Sequence, residues 1–261
     1  MKIYPIGQSI QNRRVVKWGI DPTGNRLHIG HFVAIRFLRK MLKEHRDVVI
    51  VIGDLTASIG DPSGTIKERP LMEPEIIKSN AESLQQQLQE LLPSARFYRN
   101  SNSRNLEHSL ISALKNFTVA ELLDRSAFQN RSVRASELIV PVLQGLDSVN
   151  LEAELEVGGE DQEFNFAITR KLQELWHQKP EVCVLLPIIR GTDGSKMSKS
   201  LGNCVYLDDG DIRGKIMSIP DDVMDECLPL MTDTPKKELP EHPKTRKEFL
   251  ADEIIRQLTI N

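Results

Sequence analysis

The sequence predicts an α/β fold: a Rossmann-type, doubly wound parallel sheet with an inserted helical module and a short helical C-terminal segment. Three observations predict it. The runs 47-DVVIVIG-53 and 182-VCVLLP-187 are apolar and β-branched without alternation, as strands buried on both faces of a parallel sheet are. Helical three-four spacing of apolar residues separates such runs. Glycine-rich loops follow the strands, and at the carboxyl ends of an open parallel sheet such loops line the ligand crevice.

In chain order, 14-RVVKWGI-20 is a short strand closed by the turn 21-DPTG-24. Residues 29–45 form a helix, because Ile29, Phe32, Ile35, Leu38, Met41 and Leu42 share one face. The strand 47–53 then completes a βαβ unit. A glycine-rich loop, 53-GDLTASIGDPSG-64, precedes a helix over 74–92 with Pro74 in its first turn. The run 95-ARFYR-99 is a short strand. From 105 to 150 the pattern is helical: 106–117, then 118–126 with Thr118 as N-cap and Glu121 completing a capping box, then 133–151 with a kink near Pro141. A strand at 154-ELEV-157, a loop 157-VGGEDQ-162, a helix over 163–177 and the strand 182–187 follow. From about 211 the chain holds three short helical pieces. We therefore place an α/β domain at 1–210, with a helical insertion at about 100–150, and a helical segment at 211–261.

The 261 residues are enough for a sizeable core, and 39% hydrophobic with 27% charged residues is ordinary globular composition. A net charge of −3 gives no basic tail, although a local patch would suffice for a nucleic-acid partner. Three cysteines, Cys183, Cys204 and Cys227, have no paired spacing and read as thiols in a reducing compartment. No C-x-x-C or H-E-x-x-H pattern calls for a protein-held metal. Nor is there an apolar leader segment or a run approaching the ~20 residues of a membrane span, so the expectation is a cytoplasmic enzyme without membrane attachment.

Four loops gather chemistry at the carboxyl edge of the sheet. In 19-GIDPTGNRLHIGH-31, His28 and His31 share a face at a helix start, where phosphate is favoured, and Gly30 lets a flat ring approach. In 56-TASIGDPSG-64, Asp61 could hold an ammonium or a ribose. In 157-VGGEDQ-162, two glycines admit a nucleoside and Asp161 can accept from ribose hydroxyls. The loop 190-RGTDGSKMSKSLGN-203 carries Lys196 and Lys199 among serines, a set suited to a polyphosphate leaving group. It is not a P-loop, since Gly191 and Gly194 are too close together. Taken singly, each segment also reads as ordinary structure: a helix cap, a D-P-S-G turn or a solvated basic loop.

Together, H-I-G-H before a helix and K-M-S-K-S roughly 170 residues later are specific. With 53-GDLTASIGDPSG-64, 143-LQGLDSVNLEAELEVGGEDQEFN-165, 187-PIIRGTDGSKMSKSLGN-203 and 216-IMSIPDDVM-224, they resemble the class I aminoacyl-tRNA synthetases, within that class the tyrosyl-tRNA synthetase family. The resemblance implies ATP-dependent formation of an aminoacyl-adenylate, with ATP arriving as its magnesium complex and no tightly bound cofactor. It implies phosphate contacts from Thr23, His28 and His31, with Lys196, Lys199 and Ser200 on the departing pyrophosphate. Gly19, Asp21, Gly30, Gly159, Asp161, Met197 and Ser198 complete the ATP side. Asp61, Gln144 and Gln162 match residues around the α-amino and carboxylate groups, and Asp147 matches the acceptor for the tyrosine phenol.

The chain departs from the family at the amino-acid end. Val140 stands where the family has a tyrosine, Leu146 where it often has an aromatic residue, and Lys17 where many members have a tyrosine. Thr65 replaces a lysine common after D-P-S-G. The implied substrate is tyrosine or a related amino acid. Family members continue into RNA-binding parts beyond the helix 245–258, where this sequence ends. The resemblance leaves two acceptors open: tRNA, or a small molecule or carrier protein in a biosynthetic pathway. By the resemblance, the inserted helices at about 100–150 match the family's dimerisation region and imply a homodimer, and residues 1–210 take the catalytic role. A non-catalytic RNA binder would have no use for both motifs, and the glutamine/aspartate pocket argues against a nucleotidylyltransferase.

Overall fold

The structure, a computed structural model, describes residues 1–60, 72–129, 131–195, 197 and 201–259. The chain divides into two compact units. The first comprises Met1–Asn25, Met41–Gln85 and Ser94–Leu186, and the second Arg26–Lys40, Gln86–Pro93 and Pro187–Asn261.

The first unit holds a six-stranded sheet in the order β1-β6-β5-β2-β3-β4. Its strands are β1 (Lys2–Tyr4), β2 (Val15–Ile20), β3 (Asp47–Ile52), β4 (Arg96–Arg99), β5 (Leu155–Gly159) and β6 (Val182–Leu186). All neighbours are parallel except β1, which pairs antiparallel with β6. Val48–Ile52 and all of β6 are buried, as the unbroken apolar runs require. The edge strand β1 has no sequence signal: three residues before Pro5 are too few for a periodic pattern.

The chain builds β2, β3 and β4 outward on one side, then returns to add β5 and β6 on the other side of β2. The order therefore reverses between β2 and β5, and open sheets bind ligands at such a point. Helix α6 (Ala135–Leu151) accepts Lys17 of β2 through the Gln144 carbonyl. Its other side joins α4 (Leu106–Leu114), α5 (Val119–Leu123) and α7 (Glu163–Leu175) in an apolar cluster that includes Leu122, Val142, Leu146, Ile168 and Leu172. The expected Thr118 cap is present: its hydroxyl accepts from Glu121 N at 3.2 Å, while Glu121 Oε2 accepts from Thr118 N at 2.8 Å. Gln173 of α7 ties two strand starts together, donating to Ala153 O at 2.8 Å and accepting from Glu181 N at 2.7 Å.

Two stretches expected as loops are ordered otherwise. Asp54–Ile59 forms a short helix, α2, whose carbonyl and amide bonds close between Gly53 and Ala57 and between Thr56 and Gly60. Asp54 in its first turn suits the positive end of the helix. The glycines at both ends disguised it. The segment 157–162 continues β5 to Gly159 and then makes a 3₁₀ turn, Glu160–Gln162.

In the second unit, the first part of α1 (Ile29–Lys43) sits with α8 (Ile212–Met217), α9 (Asp221–Met231) and α10 (Pro243–Thr259). Ile29, Phe32, Ile35 and Leu38 are all buried, as their spacing predicts. Arg36 donates to Leu230 O at 3.1 Å, and Arg39 donates to Gln257 O at 2.6 Å. Helix α3 (Pro74–Leu91) runs through both units in sequence. Among the described residues, no helix is long and apolar enough to cross a membrane.

Helices α6 and α7 approach closely at Gly145, where a Cβ would lie 2.5 Å from Leu172 Cδ1 and 3.1 Å from Thr169 Cα. Gly145→Val should therefore destabilise the fold by roughly 3 kcal/mol, read as a lowered urea midpoint at unchanged slope. An unshifted midpoint would refute the close packing.

Candidate functional site

The carboxyl ends of β2 and β5 bracket the candidate crevice. After β2, Thr23 N donates to Asp21 O at 2.8 Å, and Asn80 Nδ2 holds Pro22 O at 3.0 Å. The Asp21 carboxylate accepts from Thr56 Oγ1 at 2.7 Å. A Cβ at Gly53 would overlap both groups, so the turn needs glycine there. Gly19 is exposed at the end of β2. At the end of β5, a Cβ on Gly159 would lie 2.5 Å from Asp161 Oδ1, so the carboxylate folds over bare backbone. Both nucleoside-side expectations of this unit, Gly159 with Asp161 and Asp21 with Thr23, thus sit at the switch point.

Above the sheet, α6 presents Gln144, Asp147 and Ser148 on one side. Asp147 is buried, and its Oδ2 is 3.4 Å from Asn100 Nδ2, a long hydrogen bond. Burial pushes its pKa up to about 7, against the pull of the Lys17 ammonium and the Asn100 amide. Asn100 is itself fixed, accepting from Leu55 N at 2.9 Å.

Beneath α6 lies an ion pair with both members at 1% exposure: Lys17 Nζ is 2.9 Å from Glu156 Oε1. The two residues are cross-strand partners on β2 and β5. Lys17 also donates to Gln144 O at 2.8 Å and Ser148 Oγ at 2.6 Å, which uses all three ammonium hydrogens within the protein. Burial pulls the Lys17 pKa down, but Glu156, Glu181 and Asp147 outweigh it and hold it above the ordinary lysine value. Glu181, fully buried, is raised well above the carboxylate range by burial and by the Glu156 charge.

The two glutamines expected at the amino-acid end are linked through one asparagine amide. Gln144 Nε2 donates to Glu156 Oε1 at 3.0 Å, and its Oε1 accepts from Asn165 Nδ2 at 2.9 Å. The same Asn165 amide donates to Gln162 Oε1 at 2.8 Å. Gln144, Asp147 and Lys17 are therefore brought together with Gln162 in one unit. Leu146 is not among them, since it packs into the helical cluster. Val140 is buried on α6. Sequence reasoning missed Glu156, Ser148, Asn100 and Asn165. A glutamate inside an apolar strand was the available signal, because such a charge demands a partner.

The second unit carries the histidines. His28 pairs with Tyr206 as an isolated antiparallel bridge, and Ile29 N donates to Val205 O at 2.9 Å. The two imidazoles lie with centroids 3.8 Å apart, tilted by 32°. His28 Nδ1 accepts from Gly30 N at 3.2 Å, and His31 Nδ1 accepts from His28 N at 3.1 Å. Each ring thereby keeps its proton on Nε2 as a donor. A Cβ at Gly30 would stand 3.0 Å from the His28 ring, so glycine leaves room for that ring.

The lysine loop is rooted in the same unit. Asp193 Oδ1 accepts from Ser195 N, Ser195 Oγ and Asn203 Nδ2 at 2.9, 2.7 and 2.7 Å. Thr192 N donates to Asn203 O at 3.1 Å, and Met197 N donates to Ile189 O at 3.1 Å with the Met197 side chain buried. Gly191 is pressed against Asn203, where a Cβ would lie 2.5 Å from Cγ. Lys196, Ser198, Lys199, Ser200 and Asp61 lie outside the described residues.

The sequence matches the family described as tRNA synthetases class I (W and Y) over residues 9–260. The chain belongs to this family. The chain is 39% identical to the tyrosine–tRNA ligase of Trichormus variabilis over 257 residues, 93% of this chain and 65% of that protein. It is 38% identical to the tyrosine–tRNA ligase of Thermotoga maritima over 245 residues, 89% of this chain and 61% of that protein. The chain thus spans about 65% of the length of the first of these curated relatives. The synthetase fold is seen in the tyrosyl-tRNA synthetase of Archaeoglobus fulgidus complexed with L-tyrosine, with TM-score 0.75 at 18% identity, covering 95% of this chain and 89% of that one. A C-terminally truncated mitochondrial tyrosyl-tRNA synthetase of Aspergillus nidulans gives TM-score 0.77 at 20% identity, covering 95% and 82%.

The Asp147 carboxyl generates a pH prediction. Between its unfolded value of 3.8 and about 7, the native state keeps a proton that the unfolded chain has released, so this group lowers stability as pH rises. Asp147→Asn removes that loss. Its stability relative to the unsubstituted protein should be greater at pH 8 than at pH 5, by on the order of a few kcal/mol in urea unfolding. An equal difference at both pH values contradicts a buried, proton-holding Asp147.

Proposed function

We propose that this chain activates an amino acid, tyrosine or a close relative, with ATP and transfers the acyl group to tRNA. The observation that carries the proposal is the crevice at the β2/β5 switch point, where Asp21, Thr23, Gly159 and Asp161 line the sheet edge and Gln144, Asp147 and Gln162 gather in the same unit. Family membership and the naming of the relatives as tyrosine–tRNA ligases support it. No observation favours a non-tRNA acceptor.

In the proposed reaction, a substrate carboxylate oxygen attacks the α-phosphorus of ATP. The new P–O bond forms as the bond to pyrophosphate breaks, and no side chain becomes covalently attached. The protein's task is to position the groups and to stabilise charge. His28 and His31 donate from Nε2 to phosphate oxygens, and Thr23 joins them. Lys196, Lys199 and Ser200 neutralise the leaving pyrophosphate, with Met197 and Ser198 shaping the loop. Gly19, Asp21, Gly30, Gly159 and Asp161 receive the nucleoside. Asp61, Gln144 and Gln162 receive the α-amino and carboxylate groups, and Asp147 accepts from a donor on the substrate side chain. Magnesium enters with ATP and supplies charge neutralisation on the phosphates. The exposed Ile111, Val119 and Leu123 of the helical insertion support a homodimer.

Pyrophosphate exchange with each amino acid in turn, followed by transfer to bulk tRNA, tests the proposal. Tyrosine or an amino acid with a similarly placed donor should drive exchange, and acyl transfer to tRNA should follow. Exchange with none would refute activation, and exchange without any transfer would refute the tRNA step. Lys199→Ala should slow adenylate formation on the order of tenfold or more. An unchanged single-turnover rate removes the loop from the chemistry.

A further inference from the structure

Lys17 and Glu156 form a charged contact that the proposed chemistry does not use. Both are buried, and they stand side by side on β2 and β5. The Lys17 ammonium has no hydrogen to spare for a substrate, because Glu156, Ser148 and Gln144 O take all three. Ser148 Oγ accepts from Lys17 and passes its own proton toward Glu156 Oε2 at 3.3 Å, closing a ring. The ring leaves Glu156 Oε1 facing the Gln144 amide.

From there, a directed chain of hydrogen bonds runs toward a second charge. Gln144 Nε2 donates to Glu156 at 3.0 Å, and Asn165 Nδ2 donates to Gln144 Oε1 at 2.9 Å. Arg125 Nη1 donates to Asn165 Oδ1 at 3.3 Å. A carboxylate at one end and a guanidinium at the other give the two amide dipoles one direction. Reversing either amide would set donor against donor, or a carbonyl oxygen against the carboxylate. The second Asn165 hydrogen goes to Gln162 Oε1 at 2.8 Å, so the chain also decides which end of Gln162 faces Asn165.

We infer that Lys17 and Glu156 are positioning residues: the buried pair fixes the amide of Gln144 and, through Asn165, that of Gln162, in the orientation that receives the amino acid. Lys17 acts through Glu156 without touching the substrate. The inference rests on the reading of Gln144 and Gln162 as amino-acid contacts. The pair also differs in kind from a hydroxyl-bearing residue at position 17, because a charge compensates a charge on the neighbouring strand.

Replacing both members by apolar residues removes the charges together, and such replacements of buried pairs are tolerated far better than removal of one. The test is therefore the double variant Lys17→Met/Glu156→Leu, studied as the full chain. The expected melting temperature lies close to that of the unsubstituted protein. In pyrophosphate exchange, the KM for whichever amino acid drives exchange should rise tenfold or more while the KM for ATP stays the same. An unchanged amino-acid KM in the folded double variant overturns the inference and leaves the pair a purely structural element. A second measurement needs no catalysis. In protein labelled with ¹⁵N at glutamine, the side-chain amide resonances of both Gln144 and Gln162 should shift in the double variant. Gln162 touches neither substituted residue in the chain of bonds above, so an unmoved Gln162 signal also overturns the inference. If no amino acid drives exchange with the unsubstituted protein, activation itself fails, and the amide spectra still decide whether the pair directs the two glutamines.

Discussion

The first unit depends on one adjacency: β2 lies beside β5 with Lys17 opposite Glu156. Either charge alone in that interior would cost several kcal/mol, so the two strands must meet in this register. A slip by one residue would carry Lys17 to the other face of the sheet and leave Glu156 unpaired. The same adjacency is where the strand order reverses. The interaction that fixes the register therefore also opens the crevice at the carboxyl ends. Gln173 reinforces it from the other end of the strands by holding Ala153 and Glu181.

The two units bring different chemistry. Polar groups in the first are buried and densely interlocked, from Asp21 through Thr56 and Asn100 to Asp147, and from Lys17 to Asn165. Such a network holds its members in place without reorganisation when charge develops. In the second unit, the histidines and the root of the lysine loop make short-range hydrogen bonds to residues near them in sequence. His31 Nδ1 accepts from His28 N, His28 Nδ1 accepts from Gly30 N, and Asp193 knots the loop base to Asn203.

Much of the fold was legible because periodicity survives burial. Ile29, Phe32, Ile35 and Leu38 declare a helix, and 47–53 declares an interior strand. The Thr118–Glu121 box is local chemistry and reads directly. The strand β1 is too short to carry a pattern, and α2 is hidden by flanking glycines that otherwise signal a loop. At the site, glycine and histidine spacing identifies single segments, while partners such as Glu156 and Asn165 emerge only when β2, β5, α6 and α7 are assembled. Leu146 shows the opposite limit. It is one residue from Asp147 in sequence, yet the helical turn sends it to the far side of α6, into the apolar cluster.

Asp147 carries a thermodynamic consequence of its own. With a pKa near 7, it holds about half a proton in the free protein at neutral pH. On the proposed reading, a substrate donor at Asp147 would stabilise the carboxylate form and expel that fraction into solution. Association at this position is then linked to buffer ionisation, so its calorimetric heat depends on which buffer takes up the proton. The enthalpy of the proposed amino-acid binding would then be a count of protons as well as of contacts.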